Sequence, residues 1–124
     1  MTYPLQPESN EALAAVLGAF CARAFLNSSS KGFWDGVDLP EMTADIKASK
    51  IALMHSELSE MLEGVRKPGP DSHCPEFTSE EIELADLFIR GADYAAARGL
   101  RLAEAIAAKM AFNATRPHKH GKAI

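Results

Sequence analysis

Between Ile46 and Val65 the residues Ile46, Ile51, Met54, Leu58, Met61, Leu62 and Val65 recur at the steps that a helix turns to one side. Lys67-Pro68-Gly69-Pro70 stops that helix, because proline lacks the donor needed to continue it. Inside the run sit two acids three positions apart, Glu57 and Glu60, and a second apolar run beyond the stop repeats the device with Glu83 and Asp86. Helices joined by so short a connection pack antiparallel. The chain must therefore find a fold that accommodates two acidic pairs of equal spacing, each bordering an apolar stripe.

Two further helices complete the pattern. The first is expected from Ser9 or Asn10, a suitable N-cap, to a break at Ser28-Ser29-Ser30. The helix carrying Glu83 starts at Thr78 or Ser79, where Thr-Ser-Glu-Glu forms a capping box, and ends near Gly99. The last spans about Leu102 to Thr115, with Pro117 just beyond. No segment alternates with period two and no repeat is present, so the predicted class is all-α, a four- to five-helix bundle formed by one domain over residues 1–124. Such a chain is short enough for a second copy to complete its core, and the alanine-rich first helix predicts a homodimer or a dimer of dimers.

With 47% hydrophobic and 24% charged residues the composition excludes a disordered or fibrous chain. No apolar run is read as approaching a membrane span, and MTYPLQPESNEAL lacks the basic flank and apolar centre of a signal peptide, so no membrane partner and a cytoplasmic location are expected. Cys21 and Cys74, far apart and outside any CxxC, are expected as free thiols. The net charge of −4 argues against nucleic acid as a partner, although the C-terminal run from Lys109 to Lys122 is basic.

Residues three or four apart share a helical face, so Glu57 and Glu60 project together, as do Glu83 and Asp86. Antiparallel packing brings these four carboxylates towards one point. Like charges so close raise one another's pKa and need a cation to stay ionised together. With oxygen ligands only, Mg²⁺ is the expected ion and Mn²⁺ its substitute, whereas zinc is not expected.

The ExxE of Glu57-Leu58-Ser59-Glu60 followed by the ExxD of Glu83-Leu84-Ala85-Asp86 resembles the MazG-like all-α nucleoside triphosphate pyrophosphohydrolases. Asn27 with Lys31-Gly32-Phe33-Trp34-Asp35 is similar to that family's KGWWD-type segment, and Lys109, Asn113 and Arg116 to its K-x-x-x-N-x-x-R element. The chain departs from the pattern at Ser56, where many members carry a further glutamate.

The resemblance implies Mg²⁺-dependent hydrolysis of a nucleoside or deoxynucleoside triphosphate to the monophosphate and pyrophosphate, with a house-cleaning role in the nucleotide pool. Glu57, Glu60, Glu83 and Asp86 would hold the metal, and Glu57 or Glu60 would take the proton from water. Lys109 and Arg116 would meet phosphate charge, Asn113 would orient a phosphate or sugar oxygen, and Lys31 belongs to the same substrate set. Trp34 is a candidate for stacking on a base. Asp93 extends the stripe of Glu83, Asp86 and Arg90 and is a candidate for substrate contact or for an ion pair with Arg90 or Lys109. A base-selective dUTP or dCTP pyrophosphatase and a non-catalytic metal- or nucleotide-binding interaction protein stay open as alternatives.

Overall fold

The computed structural model describes residues 9–123, and within them the chain is all-α. Four α-helices follow one another: α1 (Asn10–Ser30), α2 (Ala44–Arg66), α3 (Ser79–Arg98) and α4 (Leu102–Ala114). A short 3-10 turn, His118–Gly121, follows α4. Among the described residues the only extended pairing is an isolated antiparallel bridge between Pro70 and Thr78.

Each boundary has a local cause. Ser9 accepts from the Ala12 N–H at the start of α1, and Thr43 accepts from the Ile46 N–H at the start of α2. At the start of α3 the Glu81 N–H donates to Thr78 Oγ1 while the Thr78 N–H donates to Glu81 Oε1, a complete capping box. Gly99 ends α3 at φ 65°, a left-handed conformation that costs glycine nothing. The expected break at Ser28-Ser29-Ser30 is a correction: these serines stay in the helix. The Ser29 hydroxyl donates to the Phe25 carbonyl at 2.7 Å and the Ser30 hydroxyl to that of Asn27 at 2.9 Å, so both follow the helical ladder instead of leaving it. The chain turns one step later, with Gly32 at φ 86°.

α2 and α3 form an antiparallel hairpin, α1 lies against α3, and α4 lies against α1. The hairpin passes closely at Gly64, where an added Cβ would stand 3.0 Å from the Glu80 backbone nitrogen and 3.2 Å from Ser79 Cβ. Glu60 and Glu83 sit about one turn further along, so this close approach sets their separation. Among the described residues the buried hydrophobics are mostly alanines, Ala24, Ala92, Ala95, Ala97, Ala103 and Ala107, joined by Trp34 and Met42, and no large side chain is fully buried. α1 also differs from expectation, since it is long and apolar enough to cross a membrane by length and composition. Its packed face runs through Leu13, Leu17, Cys21, Ala24 and Phe25, and its exposed side, with Val16 and Leu26, is apolar as well.

Gly64→Ala is expected to lower stability by about 1 kcal/mol, since overpacking of roughly 1–3 kcal/mol outweighs a helix-propensity gain of about 1 kcal/mol. Denaturant unfolding checks it, and a gain in stability would show that α2 and α3 do not pass so closely.

Candidate metal centre

Glu57 and Glu60 on α2 and Glu83 on α3 each offer a carboxylate oxygen, and the three oxygens lie within 4.8 Å of one another. The period of α2 puts Glu57 and Glu60 on the side that faces α3, and the register set at Gly64 brings Glu83 opposite them. Glu57 is buried, at 6% exposure, and its Oε1 accepts from Arg90 Nε at 2.6 Å. A buried carboxylate needs such a partner, because removal from water penalises its charge. Its second oxygen, Oε2, is buried and meets no N–H or hydroxyl donor, which leaves the neighbouring Glu83 carboxyl, when protonated, or a cation to satisfy Glu57.

Asp86 does not join this trio of oxygens. It lines the adjoining cavity instead, beside Glu57 and Arg90. Burial pushes its pKa up, the Glu57 charge adds to the rise, and the Arg90 guanidinium opposes it. Glu83 is pushed up further, to about 7, first by burial, then by hydrogen bonding with Glu57 and Glu60, and then by the charges of those two neighbours. The cluster therefore holds a proton well above the ordinary carboxyl range unless a cation takes its place.

The cavity beside the carboxylates has a volume of about 310 Å³ and lies between α1 and the hairpin. Asn27, Ser28 and Phe33 form one wall, and Glu57, Asp86, Ile89, Arg90 and Asp93 the other. Ser28 Oγ is buried without a hydrogen-bond partner. An all-oxygen donor set with an orphaned buried acceptor suits a hard divalent cation. It does not suit zinc, since neither cysteine nor histidine belongs to the cluster.

Several expected residues take other places. Trp34 is buried at 7% exposure in a cluster with Met42 and Ala97. Its indole N–H donates to Asp93 Oδ1 at 2.9 Å, and Lys50 Nζ stands 4.3 Å from its ring centre. Trp34 thus holds one of the cavity-lining carboxylates in position. Asp93 does line the cavity, but its partner is this indole and not Arg90 or Lys109. Lys31 is exposed and lies outside the cavity wall.

Lys109, Asn113 and Arg116 share one face of α4 and its end, gathered on Phe112, with Lys109 Nζ 4.8 Å and Arg116 Cζ 5.7 Å from the ring centre. They are not among the residues that line the acidic cavity, and α4 packs mainly on α1. Asn113 Oδ1 is buried without a partner. Cys21 and Cys74 are free thiols, as expected.

Sequence reasoning missed Ser28, Phe33 and Ile89 as cavity residues, and it saw Arg90 as a member of the acidic stripe and a candidate ion-pair partner of Asp93, not of Glu57. The position of Arg90, four after Asp86 and seven after Glu83, was the available signal for its role as counter-ion. Neither a protein-family model, nor a curated protein, nor a solved structure matches the chain.

The raised carboxyls make stability depend on pH. A group whose folded pKa lies above its unfolded value stabilises the fold fully below the unfolded pKa and loses that contribution as pH rises through the folded one. For Glu83 the window runs from its ordinary value of 4.5 to about 7, and Asp86 acts in the same direction. Asp71 and Glu81, held low by backbone N–H donors, act oppositely and only at more acid pH. Metal-free protein is expected to lose thermal stability as pH rises across the Glu83 window, and added Mg²⁺ to restore it at the upper end. A melting temperature in chelator that climbs steadily across that window would contradict the carboxylate cluster.

Proposed function

We propose that the chain hydrolyses a nucleoside or deoxynucleoside triphosphate to the monophosphate and pyrophosphate with Mg²⁺, in the manner of the MazG-like enzymes it resembles. The observation that carries this reading is the convergence of Glu57, Glu60 and Glu83, of which Glu57 also lines a cavity with Asp86 and Arg90. A lone cluster of acids repels itself. Set beside a cavity that offers hydrogen-bonding groups and the apolar side chains of Phe33 and Ile89, it suits a polyanion that arrives with a divalent cation.

Each residue has a role that follows from its surroundings. Glu57, Glu60 and Glu83 hold the cation, and Asp86 stands beside them as the fourth acid. When bound, the divalent ion supplies charge neutralisation at the phosphoryl oxygens and makes a neighbouring water more acidic. Arg90 fixes Glu57 through Oε1 and leaves Oε2 free for that duty. Glu60 is exposed and is not tied to Arg90, so it is the carboxylate that accepts the proton from the attacking water. Phe33 and Ile89 offer apolar surface to a base, while Asn27, Ser28 and Asp93 offer donors and acceptors to base or sugar.

The phosphate chain requires cations. Lys109, Asn113 and Arg116 are proposed for it on their aligned spacing, as is Lys31 on its place in the KGFWD segment. Arg90 is the cation that lines the cavity within the chain itself.

Common NTPs and dNTPs incubated with Mg²⁺, with pyrophosphate release as the readout, test the reading. At least one is expected to be cleaved, and Glu60→Gln is expected to slow cleavage by about 10²–10⁴-fold with helical content unchanged. Wild-type turnover in that variant would remove Glu60 as the base, and no release from any triphosphate would remove the reaction. Arg116→Ala and Lys109→Ala are each expected to lower kcat/KM by roughly ten- to a hundredfold, the worth of one charge-assisted contact. Unchanged kinetics in both would return the basic end to an ordinary solvated terminus.

A further inference from the structure

Asp93 follows Asp86 on α3 by about two turns, a rise of about 10 Å, and lines the cavity together with Asn27, Ser28 and Phe33. Its two oxygens differ in their surroundings. Oδ1 accepts from the indole N–H of the buried Trp34 at 2.9 Å, which fixes the orientation of the carboxylate. Oδ2 takes no hydrogen bond from the described residues, and Arg90, the cation of the same cavity wall, is turned to Glu57.

Ser28 is a second group without a partner. The hydroxyls of Ser29, Ser30, Ser49 and Ser56 each donate to a carbonyl three or four residues back in their own helix. Ser28 Oγ makes no such bond, although it is buried and its residue lines the cavity. A buried hydroxyl left unpaired destabilises the ligand-free fold, and a ligand that supplies the partner removes that cost.

We propose that this end of the cavity selects a nucleobase that carries an amino group, cytosine, adenine or guanine, over uracil and hypoxanthine, with the amino N–H donating to Asp93 Oδ2. The inference rests on the nucleotide reading of the site and specifies its substrate class. A carboxylate repels phosphate, so the phosphates belong with the cation at Glu57, Glu60 and Glu83, and the uncharged end of the nucleotide belongs at Asp93. Phe33 and Ile89, 63% and 44% exposed, offer apolar surface to the faces of the ring.

An ionised carboxylate accepts hydrogen bonds and donates none. Cytosine and adenine donate from the edge where uracil and hypoxanthine present a carbonyl oxygen, and guanine has an amino group that hypoxanthine lacks. The ring N–H of uracil or hypoxanthine is flanked by carbonyl oxygen, which Asp93 repels. A site that pairs with a donor rejects the analogue without one, because its own buried acceptor is then left unmet. Ser28 can donate or accept, so it serves the ring atom beside the amino group.

Pyrophosphate release with Mg²⁺ from dCTP against dUTP, and from dATP and dGTP against dITP, tests the inference. The amino-bearing triphosphate handled best is expected to exceed its counterpart at least tenfold in kcat/KM. Asp93→Asn is the diagnostic variant. Its amide oxygen keeps the indole bond and its NH₂ group turns into the cavity, so the order is expected to reverse, with the amino-free substrate gaining. A merely structural role would lower both members of the pair together. Ser28→Ala is expected to weaken nucleotide binding without lowering the melting temperature of the ligand-free protein, and the opposite pattern would make Ser28 structural. If no triphosphate is cleaved, calorimetric binding of the α,β-imido analogues of the same nucleotides separates the two claims: a preference for the amino group that Asp93→Asn reverses would remove the reaction and keep the base selection. Equal handling of the best nucleotide and its counterpart by the wild type, a shared loss of both in Asp93→Asn, or binding of no analogue would overturn the inference.

Discussion

Three carboxylates held within 4.8 Å of one another across two helices conflict with each other unless a proton, a cation or a counter-ion intervenes, and the α2–α3 hairpin is arranged around that conflict. Arg90 answers part of it by pairing with Glu57. The proton that Glu83 retains up to about pH 7 answers another part. The close passage at Gly64 keeps the helices near enough for the conflict to persist. Structures tolerate stored repulsion of this kind where a ligand relieves it, and burial with perturbed titration is a common mark of a functional site.

Trp34 shows how the surrounding fold supports the cavity without entering it. Its burial with Met42 and Ala97 anchors the connection between α1 and α2 on the C-terminal half of α3. Its indole N–H then fixes Asp93, a cavity residue, from behind. The KGFWD segment therefore contributes through two neighbouring side chains with opposite roles: Phe33 on the cavity wall and Trp34 in the core.

Much of this was legible in the sequence because the signals were local. Thr78 with Glu81, Gly99 and the Lys67-Pro68-Gly69-Pro70 stop mark helix ends through hydrogen bonding within a few residues, and they located α3 and the end of α2 closely. The convergence of Glu57, Glu60 and Glu83 was legible from spacing and from the short connection. The displacement of Asp86 was not, because one oxygen's position depends on the side-chain rotamer and on Arg90 across the helix pair. Ser28-Ser29-Ser30 misled, since serine both breaks helices and, by bonding back to a carbonyl, continues them. The place of α4 was not legible either. An apolar helix with a basic end fits equally well against α1 or against the hairpin, and packing decides between them.

The alanine core and the open α2–α3 face belong to the same physical picture. Alanines let helices approach closely but bury little area each, so the chain alone gains less from burial than its length would allow. The α2–α3 hairpin leaves Leu58, Leu62 and Phe88 exposed.

Paramagnetic broadening by Mn²⁺ tests the carboxylate-held cation most directly, because it reports where the ion sits without requiring turnover. In a backbone amide spectrum, substoichiometric Mn²⁺ is expected to broaden signals around Glu57, Glu60 and Glu83 first, to reach Asp86 and Arg90 next, and to be competed by Mg²⁺. Broadening centred on the Asp71 loop or spread evenly over the exposed acids would contradict a metal centre between α2 and α3.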